Sequence, residues 1–261
     1  MDKRRIIYYE NELTDEFSTA VITPKAIDEA YVYCHDSAFK KFTHFFWYRV
    51  IATPIGFLYA KLSHGHRIVG KERLRAYKKR GYFLYGNHTQ PTGDAVIPSL
   101  LTFPKDAYVI VHPNNVSMPY LGRVTPSMGA LPLPDNMAAY RNFIHAVERR
   151  ATEGNAVVIY PEAHIWPYYT GIRPFKDDAF AYPVKLGTPV FCFVNTYQKR
   201  RLSKKPRIVT YIDGPFAPNT NLPPRQQRRE LRDRVYAQMC EHAKLNRVEV
   251  IQYVKKEEEH G

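Results

Sequence analysis

"YFLYGNHTQPTGDAV", residues 82–96, is the stretch on which the reading of this chain turns. Residues 82–85 are large and uncharged, as in a strand buried on both faces, and they end in Gly86-Asn87-His88. A turn-rich loop follows, and Gly93-Asp94 opens an apolar run of helical character to residue 103. His88 and Asp94 flank the loop with five residues between them. Histidine is suited to take a proton from a hydroxyl near neutral pH, and a nearby carboxylate can hold its ring in one tautomer. No Ser or Cys sits in a G-x-S-x-G context, so the pair would act directly on a bound hydroxyl or amine without a covalent enzyme intermediate. Taken alone, the two residues read by default as a loop histidine and an aspartate that stabilises a turn.

Strand and helix patterns alternate outward from this unit. Strands are predicted near residues 66–70, at 82–85, 107–112, 130–133, 156–160, 189–194 and 207–212. Residues 71–80 read as a polar connector or short helix, and 93–103 as a helix. Asp135 is placed to cap a helix with Met137, Tyr140, Ile144, Val147 and Ala151 on one face, ended by Gly154. Residues 175–186 read as helical despite Pro183. Pro223-Pro224 open a last helix with Leu231, Val235, Met239 and Ala243 on one face. This order predicts an α/β fold, a mixed sheet flanked by helices, with ligands at the carboxyl ends of its strands.

Before residue 63 the pattern is helical only. Thr23-Pro24 is a cap and first-turn pair, and Ile27, Ala30/Tyr31, Cys34 and Ala38 recur at helical spacing. Residues 42–60 carry seven aromatic rings, but Arg49 interrupts them and Pro54 and Gly56 follow, which is too broken for a bilayer span. Aromatic rings beside cations suit a helix lying in a headgroup interface, or equally one packed on a core. The chain therefore divides into an N-terminal helical pair, residues 1–62, a possible membrane-interface element, and an α/β domain, 63–261.

The 261 residues carry a net charge of +13 and 44% apolar residues: enough core for one domain, and an anionic partner. Three widely spaced cysteines argue against a disulfide framework or a zinc site and for a reducing compartment. The first residues lack the apolar core of a signal peptide. The basic runs at 71–80 and 199–207 read as solvated loops, the second lacks interleaved aromatics, and no helix-turn-helix or zinc-finger pattern is present, so nucleic acid is not an expected partner.

A second stretch sharpens the reading. After the apolar strand "AVVIY" comes "PEAHIWPYYTGIRPFK", residues 161–176. Asn87-His88 with Asp94, Gly129, Tyr160-Pro161-Glu162-Ala163-His164-Ile165 and Pro189-Val190 fall in the order of four blocks shared by the lysophospholipid acyltransferase family, which residues 64–215 resemble. The resemblance to 1-acylglycerol-3-phosphate and glycerol-3-phosphate acyltransferases implies a glycerolipid acyltransferase-like fold and acyl transfer from acyl-CoA or acyl carrier protein to a lipid hydroxyl. It implies His88 as general base and Asp94 as its orienter, with Asn87, Gly129, Glu162 and His164 lining the acceptor side. It implies no metal and no cofactor beyond the acyl-carrying co-substrate. With the basic charge, it predicts a peripheral or monotopic enzyme on the cytoplasmic face of an anionic membrane.

The chain departs from the family pattern in three places. One extra residue separates His88 from Asp94, and Asp135 (or Pro134) and Ile165 stand where the family has phosphate-binding arginines. Arg123, Arg173 or Lys176 could supply the missing cation, or the acceptor carries no phosphate; the departures favour the second. The same residues leave two other readings open. His88, Asp94, His112, Glu162 and His164 could converge as a metal hydrolase, and the basic charge could serve a non-enzymatic binder of anionic lipid.

Overall fold

The computed structural model describes residues 5–18, 22–201 and 203–256. The apolar strands assemble into a seven-stranded sheet. Its members are β2 (Arg67–Val69), β3 (Tyr82–Gly86), β4 (Ala107–Val111), β5 (Ala130–Pro132), β6 (Ala156–Ile159), β7 (Val190–Gln198) and β8 (Arg207–Phe216). Their order is β2-β8-β7-β3-β6-β4-β5. All neighbours run parallel except β7 and β8, so the sheet is mixed. β1 (Arg5–Tyr9) lies outside it, paired in parallel with β9 (Ile251–Lys255).

Alternation along β3 divides the core. Phe83 and Tyr85 face one apolar layer, with Phe143 and Val147 of α6 (Met137–Thr152) and Leu231, Val235 and Met239 of α8 (Pro224–Ala243). Tyr82 and Leu84 face the other, with Leu74 of α3 (Glu72–Arg75) and Ile97 and Leu101 of α4 (Gly93–Thr102). Both faces of β3 are covered, and its loop at the carboxyl end lies between two parallel neighbours, β6 and β7.

Three sequence expectations are corrected. Residues 24–37 form no helix. Their backbone is held by the main domain instead: Lys25 N donates to Ser117 Oγ in α5 (Asn114–Ser117), and Ile27 N donates to Asp135 Oδ2 at 2.6 Å. Asp135, bound in this way, does not cap α6; Asn136 does, accepting from Ala139 N at 2.9 Å. Residues 175–177 are not helical, because the Phe175 carbonyl accepts from Arg232 on α8; the helical stretch is a 3-10 turn at Asp178–Phe180 and α7 (Ala181–Leu186).

The N-terminal helical run is α1 (Ala38–Phe45), a π-helical segment Phe46–Ala52 and α2 (Thr53–His64). Its inner side is fastened to the start of β4, where Arg49 pairs with Asp106 at 2.6 Å and Tyr48 Oη accepts from Ala107 N at 2.7 Å. Gly56 lets α2 lie close on α4, since a Cβ there would fall 2.3 Å from Val96 Cγ1. The outer side exposes Phe39, Phe42, Phe45, Ile55, Phe57, Leu58 and Leu62. Among the described residues, no helix is long and apolar enough to cross a membrane.

Candidate active site

The site begins where β3 stops. Asn87 extends the ladder with its side chain: Asn195 N on β7 donates to Asn87 Oδ1 at 2.8 Å, and Asn87 Nδ2 donates to Asn195 O at 3.1 Å. This amide pairing fixes the exit of β3 and turns His88 out of the sheet. His88 N donates to Glu162 Oε2, and His88 O accepts from Trp166 N, so the segment after β6 clamps its backbone from the other side. The imidazole lies against the Tyr160 ring, centroids 4.7 Å apart, and Tyr160 Oη donates to Asp94 O at 2.6 Å.

The loop folds back through Asp94, in the first turn of α4. Asp94 Oδ2 accepts from Gln90 N at 2.9 Å and lies 2.8 Å from His88 Nδ1; Asp94 Oδ1 accepts from Asn195 Nδ2 at 3.3 Å. The extra loop residue therefore does not part the pair. A carboxylate only accepts, so Nδ1 carries the proton, and in the neutral ring Nε2 keeps its lone pair. The helix N-terminus and the three donors favour the anion, yet burial outweighs them and raises the Asp94 carboxyl above its ordinary value, with His88 pulling it back. The His88 side chain keeps 24% of its surface exposed against 4% for Asp94, so the imidazole faces solvent and its partner does not.

Glu162 and Arg173 lie beneath this pair, both side chains 0% exposed and 3.2 Å apart. Glu162 Oε1 accepts from Arg173 N, and the guanidinium donates to the carbonyls of His164 and Glu12 and stacks over Trp166. Burial raises the Glu162 carboxyl, with Arg173 as the main counterweight. These two residues bind each other and the backbone of His88. Neither side chain opens onto the solvent-facing side of the imidazole.

The remaining sequence candidates are scattered. Gly129 has φ +93°, a Cβ there would fall 2.5 Å from the Ala107 carbonyl oxygen, and its own carbonyl accepts from Val109 N, so it serves the β4–β5 register. His164 is half-buried beside Glu162, with Nδ1 unpaired among the described residues. Arg123 and Lys176 are exposed, and no hydrogen bond or ion pair joins them to His88, Asp94 or Glu162 among the described residues. His112 is also exposed, with Nδ1 accepting from Asn114 N. No three His, Cys, Asp or Glu side chains are grouped to hold a metal among the described residues. Sequence reasoning missed Asn195, Gln90, Tyr160 and Tyr197, which line the loop; a buried Asn in the apolar run "VFCFVNTY" was the one available signal.

Comparison with known proteins bears on this arrangement. The acyltransferase family model matches residues 66–195, the span that contains His88, Asp94, Glu162 and Asn195. The chain belongs to the acyltransferase family. The fold is similar to the crystal structure of the 1-acyl-sn-glycerophosphate (LPA) acyltransferase PlsC from Thermotoga maritima, with TM-score 0.54 and 18% identity over 80% of this chain and 81% of that one. No curated protein matches the sequence. This acyltransferase therefore shares the mixed sheet flanked by helices with PlsC while differing from it at most sequence positions.

Proposed function

We propose that this acyltransferase moves an acyl group from a thioester, on coenzyme A or acyl carrier protein, to a hydroxyl of a lipid acceptor, with His88 as general base. The observation that carries this reading is the 2.8 Å contact between buried Asp94 and the Nδ1 of the part-exposed His88. His88 Nε2 takes the hydroxyl proton, and the oxygen attacks the thioester carbonyl. The tetrahedral intermediate collapses with loss of the thiolate, which recovers the proton from the imidazolium. Asp94 stabilises that imidazolium and holds its tautomer. Backbone N–H groups near a helix start would hold the oxyanion.

The acceptor carries no phosphate beside Asp135 or Ile165. Both positions are occupied by the N-terminal segment: Asp135 exchanges backbone and carboxylate hydrogen bonds with Ile27, Ile165 N donates to Glu16 Oε2, and Phe17 N donates to Ile165 O. A carboxylate at one site and a bound isoleucine at the other would repel or ignore a phosphate. The exposed Phe and Leu side chains of α1 and α2, beside Lys40, Lys41 and Lys61, suit peripheral docking on an anionic bilayer.

The test is incubation with labelled acyl-CoA and a panel of lysophospholipids and uncharged lipid alcohols, with products read by mass spectrometry. His88→Ala is expected to abolish transfer in a folded protein; activity within a few-fold of wild type would overturn the assignment. A product from lysophosphatidate would overturn the acceptor reading.

A further inference from the structure

Beyond Asp94, hydrogen bonds continue through the sheet. Asn195 Nδ2 donates to Asp94 Oδ1, Thr210 Oγ1 donates to Asn195 Oδ1 at 2.6 Å, and His66 Nε2 lies 2.8 Å from Thr210 Oγ1. The path crosses three strands. Asn195 on β7 is the direct cross-strand partner of Thr210 on β8, and His66 immediately precedes β2, which pairs with β8 on its other edge. Asn195 and Thr210 are 0% exposed and His66 8%, so water does not compete along it.

The donors on this path have one consistent direction. An ionised Asp94 requires the amino group of Asn195, which leaves the Asn195 oxygen to accept. Thr210 has one proton, and giving it to that oxygen obliges the hydroxyl to accept from His66. His66 is then the Nε2–H tautomer, consistent with burial that favours its neutral form. At the other end, Asp94 Oδ2 is left to take the Nδ1 proton of His88. Turning Asn195 over would set its oxygen against the carboxylate, and reversing the Thr210–His66 bond would leave the Thr210 and Asn195 oxygens facing each other without a proton.

We propose that Asn195, Thr210 and His66 are positioning residues that orient the Asp94 carboxylate and thereby hold His88 as the Nδ1–H tautomer, with Nε2 free to accept a proton. The proposal rests on the acyl-transfer reading for its kinetic consequence but not for its structural one. Thr210 is the informative member, because Thr210→Val keeps shape and removes the proton that the Asn195 oxygen accepts, while Thr210→Ser restores it.

The experiment combines steady-state kinetics with histidine-15N NMR of the full chain, which reads the His88 tautomer without substrate. Wild type is expected to show His88 as Nδ1–H. Thr210→Val is expected to lower kcat about five- to tenfold with KM unchanged and to populate the other tautomer. Thr210→Ser should return both readouts to wild type. Thr210→Val with kcat within twofold and the tautomer intact would overturn the proposal. So would a drop in kcat that Thr210→Ser shares with an unchanged tautomer, since that pattern belongs to packing. If Thr210→Val does not fold, His66→Phe removes the outer donor at the sheet edge; a wild-type tautomer and wild-type kcat there would also overturn it. A wild-type chain that shows the Nδ1–H tautomer yet transfers no acyl group would defeat the acyl-transfer reading and leave this network standing.

Discussion

Asp94→Asn tests the geometry of the site without changing its volume. The carboxylate accepts from three donors: His88 Nδ1 at 2.8 Å, Gln90 N at 2.9 Å and Asn195 Nδ2 at 3.3 Å. An amide offers one oxygen for all three. With that oxygen toward His88 and Gln90, its amino group opposes the amino group of Asn195. Turned over, it opposes Gln90 N–H and forces His88 to protonate Nε2, the atom that must accept. Either arrangement leaves a buried donor unsatisfied at about 1–3 kcal/mol, and both lose the charge that stabilises the imidazolium. By analogy with the about 10⁴-fold loss when a triad aspartate becomes asparagine, kcat should fall about 10³- to 10⁴-fold, or roughly 4–5.5 kcal/mol. The assay is transfer from labelled acyl-CoA into extracted lipid, with circular dichroism to confirm folding. A folded Asp94→Asn protein with kcat within tenfold of wild type would refute the reasoning.

Other consequences concern stability and docking. Arg173→Met leaves Glu162 as an uncompensated buried carboxylate and should cost about 3–5 kcal/mol, lowering Tm by roughly 6–20 °C in a thermal melt. Ala163 holds φ +62°, in the left-handed region that favours glycine. Ala163→Gly should remove about 1 kcal/mol of backbone strain and raise Tm by about 2–4 °C. Phe42 and Leu62 are 63% and 71% exposed. Replacing both by Glu should leave the melt unchanged and weaken sedimentation with anionic vesicles by about two to four orders of magnitude, from about 3–6 kcal/mol of lost apolar burial.

The alternation from β3 to α8 was legible because each element carries its own period. Tyr82–Tyr85 is buried on both faces, and α8 buries Leu231, Val235 and Met239 as spaced. Residues 24–37 carry helical spacing too, but Asp135 and Ser117 bind their backbone at Ile27 and Lys25, and those tertiary bonds override a local period. His88 and Asp94 were legible as a pair because one short loop joins them. Asn195, Thr210 and His66 were not, since their meeting depends on β7 lying beside β3 and β8 beside β7, neighbours far apart in sequence. Arg173 was visible as a cation, but its partnership with Glu162 required the fold of the segment between them.

The parallel pairing of β1 with β9 has a genetic consequence. The residues just after β1 supply the Glu12 carbonyl to Arg173 and the Asp15 carbonyl to Trp166, and Trp166 stacks on Tyr253 of β9. Lesions in residues 251–255 and in residues 5–9 should therefore phenocopy each other. Each would unfasten the same clasp over the Glu162–Arg173 tie, so a suppressor of one class is expected to suppress the other.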